Sequence, residues 1–210
     1  MIPATTLPDR PLIEKYNYAE QFRVAHDPQA FYDYTAGDWS TEVDACDALD
    51  ALLYSRADLF HVRKEVEGVS TSHRPGDVKQ NFRIDRVLIP TPSARAQGWT
   101  LGAVGIECKK SRSKLGRPIA QCLDYRGACW YDTPTGMWIT LGWVFLWPVK
   151  PQGGPLGSVM AQNRVGTASV TRGPSSHLTL NAGGAEVVGI RADSMKIGPG
   201  ARSGLKVGSR

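Results

Sequence analysis

FRIDRVLI, Phe82 to Ile89, and LGAVGIECK, Leu101 to Lys109, are the two runs on which the fold of this chain turns. Both are largely apolar and of strand length, and Pro90 and Pro92 end the first, so both read as β-strands. Successive side chains alternate across a strand. In the second run Val104, Ile106 and Cys108 therefore share one face, and Ala103, Gly105, Glu107 and Lys109 share the other. Glu107 and Lys109 stand side by side, and the neighbouring predicted strand carries an acid of its own, Asp85 in RIDRV.

Upstream, Ser40 or Thr41 can cap an amphipathic helix predicted over about residues 41–55, with Val43, Cys46, Leu49, Leu52 and Leu53 at three- and four-residue spacing. A strand is predicted over Leu59–Val69, where Val62, Lys64 and Val66 alternate with Arg63, Glu65 and Glu67, and Pro75-Gly76 marks the turn that follows. Downstream, Pro118 suits the first turn of a helix running to about Trp130, with Gln121 and Tyr125 one turn apart on one face. The most apolar stretch, Met137 to Val149, reads as a buried strand closing the core at Pro148; its 13 residues are too few to cross a bilayer as a helix.

This reading makes residues 1–39 an N-terminal extension packed on the core, with a short helix around Glu14 to Val24. Residues 40–149 form the core, and residues 150–210 a basic, glycine-rich C-terminal extension. In that last part 12 of 61 residues are glycine, and SVMAQ, TASVT, HLTL and EVVGI suggest a small antiparallel β addition with long turns. Its KIGPGARSGLKVGSR end has few apolar anchors.

A chain of 210 residues, 41% of them hydrophobic, buries a substantial core and fits one principal globular unit. The formal charge of +5 is uneven: residues 1–149 hold 17 basic and 18 acidic residues, residues 150–210 hold 8 and 2. The tail is thus the stronger long-range attraction for a polyanion. No basic segment followed by an apolar one opens the chain, so the expectation is a cytoplasmic protein without a membrane partner. Cys46, Cys108, Cys122 and Cys129 form no CxxC pair and have no histidine cluster beside them, which favours reduced, mostly buried thiols over a zinc site or disulfides.

Two carboxylates brought together bind a hard divalent cation, Mg²⁺ or Mn²⁺, because such ions favour oxygen ligands and offset the repulsion between the acids. The ion polarises a phosphodiester oxygen and lowers the pKa of a water, and a lysine beside it orients that water or stabilises charge on the phosphate. The order of predicted elements around Asp85 and Glu107-Cys108-Lys109 resembles the PD-(D/E)XK, or restriction-endonuclease-like, nuclease superfamily, whose core runs helix, three strands, helix, strand. The resemblance covers about residues 40–148. It implies an α/β fold, a mixed central sheet flanked by helices, here followed by the glycine-rich β extension.

In that resemblance Asp85 matches the acid of the second core strand, and Glu107 and Lys109 match the acid and lysine of the third, although Ile84 replaces the proline of the literal motif. Gln121 and Tyr125 match a Q-x-x-x-Y element of exonuclease-like members, where these residues order the site or contact nucleic acid. Their alternative reading is a buried pair with the tyrosine ring in the core. Glu42 matches the glutamate that many members contribute from the first helix, beside its alternative role as a first-turn acid favourable to the helix dipole. Asp44, Asp47, Glu65 and Glu67 compete for that place. The implied metal ligands are Glu42, Asp85 and Glu107, with the carbonyl of Cys108.

The implied activity is Mg²⁺- or Mn²⁺-dependent hydrolysis of DNA, endonucleolytic or exonucleolytic, in restriction, recombination, repair or phage DNA processing. DNA would be held through Lys110, Arg112, Lys114, Arg117 and the basic C-terminal part, and a homodimer would let two centres act on two strands. The alternative is a non-catalytic nucleic-acid-binding or assembly protein of the same fold. Trp138, Trp143 and Trp147 are expected in the core, Trp39 and Trp99 on the surface, where they invite base stacking.

Overall fold

The computed structural model describes residues 41–54, 56–71, 81–110, 114–171, 177–191 and 194–198. The expected helix around Glu14 to Val24, Ser40, Trp39, the Pro75-Gly76 turn, Arg112 and the last twelve residues lie outside them.

Helix α1 (Glu42–Tyr54) begins where predicted. Thr41 is its cap: its Oγ1 accepts the Asp44 amide at 3.0 Å and its carbonyl accepts that of Ala45. The buried stripe is Ala45, Ala48, Leu49, Leu52 and Leu53, whereas Val43, expected on the apolar face, is 68% exposed. Two positions before Ala45 is a rotation of about 200° around the helix, which turns Val43 to solvent.

There follow β1 (Phe60–Ser70), β2 (Asn81–Pro90), a short α2 (Pro92–Ala96), β3 (Val104–Cys108), α3 (Gly116–Arg126), β4 (Ala128–Asp132), β5 (Met137–Thr140), β6 (Trp143–Trp147), α4 (Gly154–Gln162), β7 (Val165–Thr171), β8 (His177–Ala182), β9 (Ala185–Ile190) and β10 (Met195–Ile197). The strands form one mixed sheet in the order β10-β9-β8-β7-β6-β3-β2-β1-β4-β5. The pairs β3–β6 and β6–β7 are parallel and the others antiparallel. No helix among the described residues is long and apolar enough to cross a membrane.

Several expectations are corrected. The third strand begins at Val104 rather than Leu101. Helix α3 stops at Arg126, where the amide of Gly127 turns back to the Asp124 carbonyl at 3.0 Å, and Trp130 belongs to β4 instead. Trp130 packs over Gly68 of β1, where an added Cβ would lie 2.6 Å from the indole ring. The run from Met137 is two strands at different places in the sheet, β5 at the edge and β6 inside. Gly142 divides them: a Cβ there would come within 1.8 Å of the Leu101 carbonyl oxygen, so only glycine fits this close approach. On the edge strand Trp138 is 55% exposed, and Trp99, expected outside, is 4% exposed. SVMAQ lies in α4, not in a strand, while TASVT, HLTL and EVVGI fall in β7, β8 and β9.

The sheet separates two apolar clusters. On one side Leu49, Leu52 and Leu53 of α1 pack with Leu88, Ile106, Phe145 and Trp147, and also with Leu178, Leu180, Val188 and Ile190 from beyond residue 150. The C-terminal strands thus continue the same sheet and share its core. On the other side Cys122 and Tyr125 of α3 and Met160 of α4 pack with Val66, Ile84, Val87, Val144 and Leu146.

Strands β1 and β2 change allegiance midway. Val62 and Leu88, which face each other, pack against the first cluster, and Val66 and Ile84, also facing, lie in the second. Simple alternation would keep all four on one side. The pleat turns over at Glu65 and Asp85, and Glu65 adopts a left-handed backbone, φ 50°.

Candidate active site

The antiparallel β2–β3 register ends with Arg86 facing Ile106, and Asp85 and Glu107 lie one step beyond that pair on their two strands. Oδ2 of Asp85 accepts the backbone amide of Cys108 at 2.7 Å, which fixes the carboxylate against the end of β3. Glu107 is only 3% exposed. Its Oε1 accepts from Nζ of Lys109 at 2.7 Å, and the same ammonium lies 3.6 Å from Oε1 of Glu42 in the first turn of α1. The main-chain amide of Lys109 donates to the Trp147 carbonyl at 2.6 Å, prolonging the β3–β6 ladder by one residue and holding the lysine in register. Asp85, Glu107, Lys109 and Glu42 thus converge from two strands and a helix.

The electrostatics are those of acids crowded out of water. Burial, and then the charge of Asp85, push the Glu107 carboxyl up to about 7 against the pull of Lys109. Burial also raises Asp85, with the Cys108 amide and Lys109 opposing. Burial works against the Lys109 ammonium, yet Glu107, Glu42 and Asp85 outweigh it and hold the lysine above its ordinary value.

Oε2 of Glu107 is buried without a hydrogen-bond partner. A buried carboxylate oxygen with no donor is unfavourable, and a cation beside it relieves both that oxygen and the repulsion from Asp85. Hard oxygen donors of this kind fit Mg²⁺ or Mn²⁺.

Two further residues, not singled out from sequence, build the frame. Arg86 donates through Nε and Nη2 to Asp50 of α1 at 2.6 and 2.9 Å, and through Nη1 to the Asp85 carbonyl at 2.6 Å. Lys64 adds a contact to Asp50 at 2.9 Å. This buried fork clamps α1, with Glu42 at its start, to the backbone of Asp85. RIDRV has an arginine on each side of the acid, and the turnover of the pleat decides which one faces the helix.

Gln121 and Tyr125 are joined: the Gln121 side-chain amide donates to the Tyr125 oxygen, and that hydroxyl donates to the Arg83 carbonyl at 2.7 Å. The Tyr125 ring is buried edge-on against Phe82 and Trp130, at centroid distances of 5.7 and 5.2 Å. The pair braces α3 against β2, two residues from Asp85. Glu65 is engaged by Arg83 at 2.9 Å, and Glu67 borders a separate cleft with Tyr131 and Trp138. Lys110, Lys114 and Arg117 are exposed beyond the end of β3.

No family model, curated protein or solved structure matches the chain.

Proposed function

We propose that this protein is a metal-dependent nuclease that hydrolyses DNA phosphodiester bonds on a restriction-endonuclease-like core. The observation that carries the reading is the convergence of Asp85, Glu107, Lys109 and Glu42 around a buried carboxylate oxygen that has no partner. Helix α1, the antiparallel run β1–β2–β3, helix α3 and β6 parallel to β3 support the superfamily resemblance, with α2 inserted before β3 and with β4 and β5 inserted before β6.

A bound Mg²⁺ or Mn²⁺ supplies Lewis-acid polarisation of the phosphodiester and makes water a competent nucleophile near neutral pH. Asp85 and Glu107 hold the ion, with Glu42 reaching it directly or through water and the Cys108 carbonyl as a further ligand. Lys109, held by Glu107 and Glu42, is a concentrated positive charge that orients the attacking water or stabilises charge developing on the phosphate. Gln121 and Tyr125 act as positioning residues. Lys110, Arg112, Lys114, Arg117 and the basic C-terminal part engage the DNA backbone, and a homodimer would present two centres to two strands.

The test is cleavage of labelled linear, single-stranded, circular and branched DNA, with RNA in parallel, in Mg²⁺ and in Mn²⁺. Wild type is compared with folded D85A, E107A and K109A. Metal-dependent cleavage of DNA that these substitutions abolish is expected. Folded wild type that binds DNA without metal and cleaves no substrate would make the protein a binding or assembly module instead.

A further inference from the structure

On the far side of β3 from Glu107, the site borders a second donor set of different chemistry. Cys108 faces the apolar cluster beneath α1, fully buried, and Cys46 reaches towards it from that helix, half-buried. One donor atom from each of Cys46, Cys108 and Asp85 falls within 4.8 Å of the others. All four cysteines are free thiols.

From Cys46, Asp85 and Cys108 the geometry points to a second cation site, one for a thiophilic divalent ion such as Zn²⁺ or Cd²⁺, which shares Asp85 with the hard-ion site and so competes with it.

Two sulfurs and one carboxylate oxygen are a donor set that Mg²⁺ disfavours and Zn²⁺ or Cd²⁺ accepts. Tetrahedral zinc with bonds of about 2.0–2.3 Å holds its ligand atoms roughly 3.5–3.8 Å apart, so donors that lie within 4.8 Å of one another need to close by about 1.3 Å at most. The backbone already sets them. The Cys108 amide is bonded to Asp85, and the Arg86–Asp50 fork ties the helix of Cys46 to the strand of Asp85. As each sulfur–metal bond forms, the thiol releases its proton to solvent. Three protein ligands leave a fourth position for water.

The competition rests on the proposed catalytic reading, whereas the site does not. An Asp85 carboxylate held between two thiolates is no longer free for an ion shared with Glu107. Soft ions are then antagonists of Mg²⁺ and Mn²⁺ at this centre.

The experiment titrates metal-free, reduced protein with Cd²⁺, without nucleic acid, and follows the ultraviolet sulfur-to-cadmium charge-transfer band. One equivalent is expected to develop the band, C46S and C108S each to abolish it, and D85N to keep it at reduced affinity. Excess Mn²⁺ is expected to raise the apparent Cd²⁺ dissociation constant of wild type and to leave that of D85N unchanged. Cys46 is only half-buried, so C46S tests the site even where C108S fails to fold. A folded wild type with no band, or a band of undiminished affinity in C46S, overturns the site. A band indifferent to Mn²⁺ overturns the sharing of Asp85. Because nothing is cleaved in this assay, its failure is separable from failure of the nuclease reading.

Discussion

Nζ of Lys109 lies 2.7 Å from Oε1 of Glu107, while Oε2 of the same carboxylate is buried with nothing to bond. In the proposed nuclease one oxygen holds the lysine and the other would face the ion, which gives the two residues separable roles. E107A and D85A are expected to lose Mn²⁺ binding and cleavage together. K109A is expected to retain the ion and lose about 10²–10³-fold in kcat, the size of a lost charge-stabilising donor. Calorimetric titration of Mn²⁺ beside cleavage rates checks the split, and a K109A protein that no longer binds Mn²⁺ would place the lysine in the structure of the site rather than in the reaction.

The raised acid at position 107 carries a pH signature. Its folded pKa is about 7 against an ordinary 4.5, so the folded state holds the proton more tightly. Stability of the metal-free protein therefore falls as pH rises from the unfolded pKa to the folded one, and levels off above it. Asp85 acts in the same direction, and Asp58, whose carboxyl is held low by two hydrogen bonds from Arg56, acts in the opposite one, which makes the difference between wild type and E107Q the useful quantity. The Tm of E107Q is expected to gain on that of wild type between about pH 5 and pH 8. Saturating Mg²⁺ is expected to reverse the order. Parallel Tm curves in the metal-free proteins would contradict a raised Glu107.

The Arg86–Asp50 fork is buried at both ends, each side chain 7% exposed. Removing one partner leaves a charge stranded in the interior, so R86A and D50A are each expected to cost about 3–5 kcal/mol in denaturant unfolding. Replacing both by apolar residues, R86M with D50L, is expected to recover most of that loss. Cleavage is expected to stay impaired in the double variant, since the Asp85 carbonyl has lost its donor. Recovery of full activity along with stability would reduce the fork to a packing element.

Tyr125 separates bracing from chemistry. Y125F keeps the ring contacts and removes the donor to the Arg83 carbonyl, an expected loss of about 1 kcal/mol in unfolding free energy. Q121A is expected to cost less, because it leaves that bond in place. Cleavage by Y125F is expected to fall far less than by D85A; an equal loss, without loss of stability, would make the hydroxyl a group that touches substrate.

Much of the centre was legible because strand alternation is a local rule. Glu107, Lys109 and Asp85 follow from reading LGAVGIECK and FRIDRVLI as strands, and Thr41 announces α1. What escaped depends on contacts between distant segments. Gly142 looks like one glycine in an apolar run until the Leu101 carbonyl is set against it. Trp130 extends the helical pattern on paper, and it is the space above Gly68 that draws it into β4. Exposure of Trp138 and burial of Trp99 follow from β5 lying at the sheet edge and from Phe60 packing 4.7 Å from the Trp99 ring. Asp50, Arg86 and Cys46 are ordinary helix and strand residues in sequence, and only the crossing of α1 over the sheet gives them their roles.

The turnover of the pleat at Glu65 and Asp85 makes the centre a sentinel for the whole molecule. Asp85 stands where the pleat of β2 reverses, with Ile84 and Val87 in one apolar cluster and Leu88 in the other, so its position is set by both at once. Were either cluster to loosen, the strand would lose half of what orients the acid, and a partly opened molecule would retain no half-assembled centre. Binding of the proposed ion would thereby be fused with global cooperativity: protection of the β2 amides on either side of Asp85 from hydrogen exchange is expected to rise together when Mn²⁺ is added, and not on one side alone.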